Sequence, residues 1–148
     1  MPYEFHCRQR VEFADTDMAG IVHFANFFRY MERAEHEFLR SLGLSVHAVN
    51  GDALVSWPRV NAECTYRAPL SFEDELDVHL LVREKRSKSV VYEFRFYKQG
   101  DADVAAVGSI TVVCVSIDPT SGRMTPIAIP ASIDRLIEAA PTKLLETK

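Results

Sequence analysis

Several large function classes are missing from this chain, and each absence narrows the reading. Cysteine is scarce: three in 148 residues, at positions 7, 64 and 114, with no C-x-x-C pair. An odd, scattered set does not read as a disulfide framework, and each thiol sits in an apolar stretch where it acts as a small hydrophobe. Cations are not in excess, with 17 Lys and Arg against 21 Asp and Glu. A generic binder of phosphate backbone carries the opposite balance, so nucleic acid is not an expected partner. No run approaches the roughly 18 apolar residues of a membrane span. The start, MPYEFHCRQR, lacks the apolar core of a signal peptide, so the expected compartment is the cytoplasm. The six glycines are scattered and form no phosphate loop. G-x-S-x-G is absent, and so is H-E-x-x-H, since His36 leads into Glu37-Phe38-Leu39-Arg40. The histidines, at 6, 23, 36, 47 and 79, show no metal-ligand spacing within a short element. A zinc site would have to be assembled wholly from distant residues, and no metal or dissociable cofactor is expected.

What is present suits one domain over residues 1–148, with 47% hydrophobic residues. A chain of this size buries about two-thirds of its unfolded surface without a staple. Tyr3, Phe5, Cys7, Val11 and Phe13 alternate with charged neighbours, which predicts a half-buried strand. The spacing of Phe27, Tyr30, Met31, Ala34, Phe38 and Leu42 predicts one long helix over 22–42, ended by Gly43. Arg29, Arg33, His36 and Arg40 lie on its opposite face. Four strands follow. Val60, Ala62, Cys64 and Tyr66 alternate in the first, Leu76, Val78, Leu80 and Val82 in the second, and Val90, Tyr92, Phe94 and Phe96 in the third. The fourth, over 104–117, is apolar on both faces and so central. A short closing helix is expected over 130–140. Helix and strands are segregated, so the class is α+β, with the helix stripe laid on one sheet face.

Chemistry concentrates between the first strand and the helix. Asp15 and Asp17 precede the helix, where acids commonly accept orphan backbone N–H groups as caps. Asp17 lies several residues ahead of the apolar stripe, with Ile21 and Val22 between as an apolar wall. A carboxylate there can instead face a pocket into which helix-start N–H groups also point. That pairing suits thioester hydrolysis, in which negative charge develops on the carbonyl oxygen. The carboxylate then serves as nucleophile or as general base on water.

The stretch Val11-Glu12-Phe13-Ala14-Asp15-Thr16-Asp17-Met18-Ala19-Gly20-Ile21-Val22-His23-Phe24-Ala25-Asn26-Phe27 resembles the signature of the 4-hydroxybenzoyl-CoA thioesterase family, including its YbgC-like branch. The match continues through Arg29-Tyr30-Met31-Glu32-Arg33-Ala34, and the strand order agrees along most of the chain. The resemblance implies a hotdog fold, a curved antiparallel sheet wrapped around one long helix, assembled as a homodimer or homotetramer. It implies that Asp17 is the catalytic carboxylate and that the Phe24 backbone N–H polarises the thioester carbonyl. Gly20 would allow a tight turn and close approach of the chain to substrate. Val22 would line the pocket, and His23 would either line it or act as a proton carrier. Asn26 matches the motif, either touching ligand or supporting the helix start. Glu32 stands where hydroxybenzoyl-specific relatives place an acid near the acyl group, and reads equally as a dimer contact or a solvated residue.

The run Arg83-Glu84-Lys85-Arg86-Ser87-Lys88-Ser89 reads by itself as a solvated turn. The family places basic residues at this junction against the CoA phosphates, which assigns Arg86, Lys88 and Ser89 to CoA binding. Coenzyme A is then part of the substrate, not a resident cofactor. Two alternatives stand beside acyl-CoA hydrolysis: a hotdog hydratase or dehydratase, and a non-catalytic acyl-CoA-binding protein. The six-residue step from Asp17 to His23 does not match the His–acid spacing of the hydratases.

Overall fold

The computed structural model describes residues 1–50 and 53–146. The first strand, β1 (Glu4–Arg10), buries Cys7 and Gln9 and turns Glu4, His6, Arg8 and Arg10 the other way. It ends earlier than the alternation predicts. A single 3-10 turn (Phe13–Asp15) carries Phe13 into solvent, 75% exposed, instead of continuing the apolar face.

Helix α1 (Asn26–Ser41) buries Phe27, Tyr30, Met31, Ala34 and Phe38 as the spacing predicts; Leu39 is buried beside them, while Leu42, the predicted end of the stripe, falls just past the helix and is half-buried. Its start is four residues later than predicted. The Val22 N–H donates to the Leu70 carbonyl (2.8 Å), and the Asp17 and His23 N–H groups donate to the Ile21 and Asp15 carbonyls (2.9 and 2.8 Å). Those bonds hold residues 17–23 in bridges to neighbouring chain, so they cannot join the helical ladder. At the far end Gly43 takes φ +77°, and the Leu44 and Gly43 N–H groups donate to the Leu39 and Arg40 carbonyls (2.8 and 2.9 Å). This double bond to the last turn closes the helix and needs the left-handed backbone that glycine tolerates.

The remaining strands are β2 (His47–Asn50), β3 (Ala53–Ser56), β4 (Arg59–Tyr66), β5 (Glu75–Lys85), β6 (Ser89–Lys98), β7 (Ala106–Val113), β8 (Val115–Ile117) and β9 (Met124–Pro126). Among the described residues they form two antiparallel sheets, ordered β1-β5-β6-β7-β4 and β2-β3-β8-β9. The predicted strand over 104–117 is therefore two. It breaks at Cys114, whose N–H donates to the Lys88 carbonyl (2.7 Å), and the chain passes from one sheet to the other with both parts still inside.

Helix α1 lies across β1, β5, β7 and β4. Its stripe meets Val78, Leu80 and Val82 of β5, Phe94 and Phe96 of β6, and Ile110 and Val112 of β7 in one buried cluster. The helix comes so close that a side chain at Gly108 would collide with the Met31 thioether. Part of the opposite face of the sheet, around Lys85 and Arg95, is covered by the C-terminal segment. That segment contains α2 (Ala131–Asp134) and α3 (Thr142–Glu146). It is less helical than the expected 130–140 helix, because β5 competes for its backbone. Lys85 Nζ donates to the Asp134 and Ile137 carbonyls (2.9 and 2.8 Å), and Ala140 N–H donates to the Val82 carbonyl (2.7 Å). Beneath it, Arg95 bridges buried Glu93 (2.8 Å) and the Leu144 carbonyl (2.9 Å).

Strand β4 departs from its predicted burial. It is an edge strand at the margin of the α1 contact, and Val60 is 61% exposed. No helix among the described residues is long and apolar enough to cross a membrane.

Candidate active site

A cavity of about 430 Å³ opens beside the start of α1, lined by Asp17, Ile21, Val22, Phe24, Phe27 and the stretch Tyr66, Arg67, Ala68, Pro69 and Leu70. Val22, Phe27 and Leu70 are buried and give it an apolar floor. Phe24 is 63% exposed and stands at the rim. Two chain segments far apart in sequence make the walls, the loop after β1 and the loop after β4. They are tied by Val22 N–H to the Leu70 carbonyl and by the Tyr66 hydroxyl donating to the Phe24 carbonyl (2.9 Å).

The two acids of the loop have different tasks. Asp15 Oδ2 accepts the Glu12 N–H (3.0 Å) and the Tyr30 hydroxyl (2.9 Å), while its carbonyl accepts the His23 N–H and the Asn26 side-chain amide (2.8 Å each). It ties loop to helix. Burial and this acidic partner push the Tyr30 hydroxyl well above its ordinary range, so it stays a donor. Asp17 makes one side-chain bond, Oδ1 accepting the Ala19 N–H (2.8 Å). Among the described residues nothing donates to its Oδ2, and the residue borders the cavity, half-buried. Carboxylate and loop are thus oriented without closing off the second oxygen.

Around Asp17 the backbone turns tightly. Gly20 takes φ +79°, and its N–H donates to the Asp17 carbonyl (2.9 Å). Among the described residues no acceptor takes the Phe24 N–H, whereas the next amide, Ala25 N–H, donates to His23 Nδ1 (3.2 Å). An unpaired amide at a helix start is a ready hydrogen-bond donor for an anionic oxygen. His23 stacks on the Phe24 ring (4.6 Å between centroids) outside the cavity lining.

Other residues singled out in the sequence lie elsewhere. The Asn26 amide is committed to Asp15 and does not line the cavity. Glu32 faces a separate cavity of about 300 Å³ with His36, Trp57 and Arg59. There the buried Glu35 carboxylate pairs with Arg59, and burial pushes Glu35 up against the lowering effect of that guanidinium. Arg86 and Lys88 are exposed in the β5–β6 turn, Arg86 in a two-pronged bond to Glu84 (2.8 Å each), while Ser89 is buried at the start of β6. This turn adjoins the Arg59 end of β4, and the cavity adjoins the Tyr66 end, so within one chain they lie at opposite ends of the sheet. The wall from Tyr66 to Leu70 escaped the sequence reading. Its one legible mark is Pro69, which ends the strand. The three thiols lie outside the cavity, and burial pushes Cys64 and Cys114 up to about 11, far from a reactive thiolate.

Residues 11–137 match the sequence profile of a thioesterase-like superfamily. A 1,4-dihydroxy-2-naphthoyl-CoA hydrolase of Prochlorococcus marinus is 32% identical over 130 residues, 82% of this chain and 81% of that protein. The acyl-CoA thioester hydrolase YbgC of Escherichia coli is 30% identical over 124 residues, 84% of this chain and 88% of that protein. Among solved structures, a gentisyl-coenzyme A thioesterase superposes with a TM-score of 0.73 at 31% identity, covering 88% of this chain and 99% of the other. These likenesses identify the helix-on-sheet architecture as the hotdog fold.

Proposed function

The chain belongs to the thioesterase-like superfamily and is a thioester hydrolase; on that premise we propose that it hydrolyses an acyl-CoA at the cavity beside α1, with Asp17 as the reacting carboxylate. The observation that carries this reading is that Asp17 borders an apolar cavity also lined by Phe24, whose N–H has no acceptor among the described residues. Val22, Phe27 and Leu70 exclude water from the acyl group, which strengthens electrostatic interactions inside. The thioester carbonyl oxygen takes the Phe24 N–H at the positive end of α1, where developing charge is stabilised. Asp17 then either attacks the carbonyl carbon, giving an anhydride that water opens, or takes a proton from water as it attacks. Either route yields the free acid and CoA thiol. A thiolate leaves readily, so no strong general acid is required, and CoA enters as part of the substrate.

One copy supplies only part of the site. We propose a homodimer in which β4 pairs antiparallel with β4 of a second copy. Edge strands present unpaired N–H and C=O groups, and β4 is long, solvent-facing and carries exposed Val60. Antiparallel pairing sets the Arg59 end of one β4 beside the Tyr66 end of the other. At about 4.8 Å per strand, the second copy's β5–β6 turn then lies roughly three spacings, about 14 Å, from the cavity. An extended pantetheine arm covers that gap and delivers the CoA phosphates to Arg86 and Lys88, with Ser89 behind them.

Replacing Asp17 with Asn tests the proposal, because it removes the charge and keeps the size. Thiol release from a panel of aliphatic and aromatic acyl-CoAs is expected to fall about 10²–10⁴-fold, with unfolding unchanged. Undiminished hydrolysis across the panel would rule out the assigned role. Single-turnover labelling from solvent oxygen separates the two routes, since only the anhydride route leaves label in Asp17.

A further inference from the structure

The outward face of the β1–β5 pair carries a second constellation, away from the Asp17 cavity. His6 and His79 are direct cross-strand partners, and their rings stack at 4.0 Å with 9° between planes. Glu4 Oε2 meets His79 Nε2 at 2.8 Å, and Asp77 Oδ2 meets His6 Nδ1 at 2.8 Å. One ligating atom from each of Glu4, His6 and His79 lies within 4.8 Å of the other two.

We propose that Glu4, His6 and His79 form a binding site for a zinc-class divalent cation, with Asp77 as the carboxylate that orients His6. The donor chemistry selects the ion: two imidazoles and a carboxylate favour zinc and its late first-row neighbours over calcium or magnesium. A carboxylate oxygen only accepts, so His6 Nδ1 carries the hydrogen given to Asp77, and Nε2 keeps its lone pair for the metal. Such carboxylate–histidine pairs fix the ring and raise ligand basicity. Glu4 and His79 already stand close to the roughly 3.3 Å that separates two ligands around a tetrahedral ion with 2.0–2.1 Å bonds. The cation takes the place of the proton they share. His6, more than half exposed, turns out of the parallel stack so that its Nε2 points at the ion and completes three ligands, and water fills the fourth position.

Burial suits the task. The His79 side chain is 13% exposed, so one side of the ion is shielded from bulk water. Two carboxylates offset the charge of a dication. Arg8 lies across from Asp77 and Arg95 across from His79, and Arg95 is already neutralised by Glu93. A cavity of about 520 Å³ adjoins His6 and Asp77 and supplies a route from solvent. Bound metal would staple β1 to β5.

Calorimetric titration of the full chain with zinc, and with cobalt read by its visible spectrum, tests the proposal. The expected result is one ion per chain, affinity rising with pH as ligand protons are released, and a higher melting temperature with metal. Glu4→Gln and His79→Gln should abolish the cobalt spectrum, and Asp77→Asn should weaken binding about 10–100-fold. His47→Ala should bind as the parent does, and thioester hydrolysis should be unchanged in every variant that folds. Failure of the parent chain to bind overturns the site. So does equal affinity in a His6→Gln/His79→Gln double variant whose metal-free melting temperature matches the parent's.

Discussion

The two edges of the five-stranded sheet are both antiparallel strands, yet they meet solvent in opposite ways. On β1 the outward residues are charged or imidazole, and they pair across to β5: His6 with Asp77 at 2.8 Å and Arg10 with Glu75 at 2.9 Å. The C-terminal segment adds a tie beside this edge, Glu138 N–H to the Pro2 carbonyl (3.0 Å). On β4 the outer residues are largely bare, with Val60 and Tyr66 in solvent. Charge on an edge discourages a second chain from adding to it, and β4, whose charges are Arg59, paired with Glu35, and the exposed Glu63, is the less charged of the two edges. The Asp17 cavity opens beside this edge, where the proposed second copy would bring its β5–β6 turn.

Four experiments break or sharpen this contrast, the largest expected effect first. Arg59 at the start of β4 neutralises Glu35, which is 1% exposed, so Arg59→Met leaves a buried carboxylate without its cation. The loss is expected to be about 3 kcal/mol, the low end for a broken buried pair, because the Arg59 side chain is itself 28% exposed. Chemical denaturation measures it. Burial raises the Glu35 pKa, so folding favours its protonated form; that contribution is fully present below the unfolded carboxyl value and is lost as pH rises. The deficit of the variant should therefore be larger at neutral pH than near pH 4.5, the ordinary value for the group. A compensating Glu35→Leu/Arg59→Met pair should recover most of the stability.

Next, Val60→Lys places a charge on the bare edge. Light scattering should show dimer dissociation at concentrations about tenfold or more above the parent's, a shift of roughly 1.4 kcal/mol. Hydrolysis should fall with the dimer fraction while the monomer stays folded. A variant that dissociates with full activity would show that one copy is sufficient. Third, Arg86→Ala should raise KM for the CoA thioester several-fold, leave kcat and melting temperature in place, and reduce the dependence of KM on salt.

The smallest effect belongs to the charged edge. The His79 pKa is lowered, chiefly by burial, so folding favours the neutral ring. Its contribution to stability is present above 6.5, the unfolded value, and lost as pH falls below it, where the unfolded chain binds the proton first. In chelator, His79→Gln should flatten the decline of melting temperature on the acid side of 6.5. An unchanged slope would place the titrating group elsewhere.

Much of this architecture could be read from local periodicity. The stripe from Phe27 to Phe38 and the alternation of Leu76 to Val82 each encode which face is buried, and both are inside as expected. Errors fell where partners come from afar. Helix α1 begins at Asn26 and not near 22 because Leu70 and Asp15 capture the amides of residues 22 and 23. The 104–117 run divides because its two parts pair with different sheets, which no apolar count reveals. The spacing of Tyr66, Cys64 and Val60 promises a half-buried strand, but burial requires a layer packed across that face, which periodicity does not encode; β1, also an edge, has one over Cys7, whereas Val60 meets solvent.

The site divides along the same line. By itself the sequence determined an α+β chain, the apolar face of its helix, and an acidic loop at the helix start. Those features depend on residues within a few positions of one another, where the 3.6 and 2.0 repeats act directly on side-chain direction. Only the tertiary structure decided that the stretch after β4 walls the Asp17 cavity and that His6 stacks on His79. Each of these follows from strand register, and register is set by long-range pairing between segments whose separation along the chain carries no signal of their meeting.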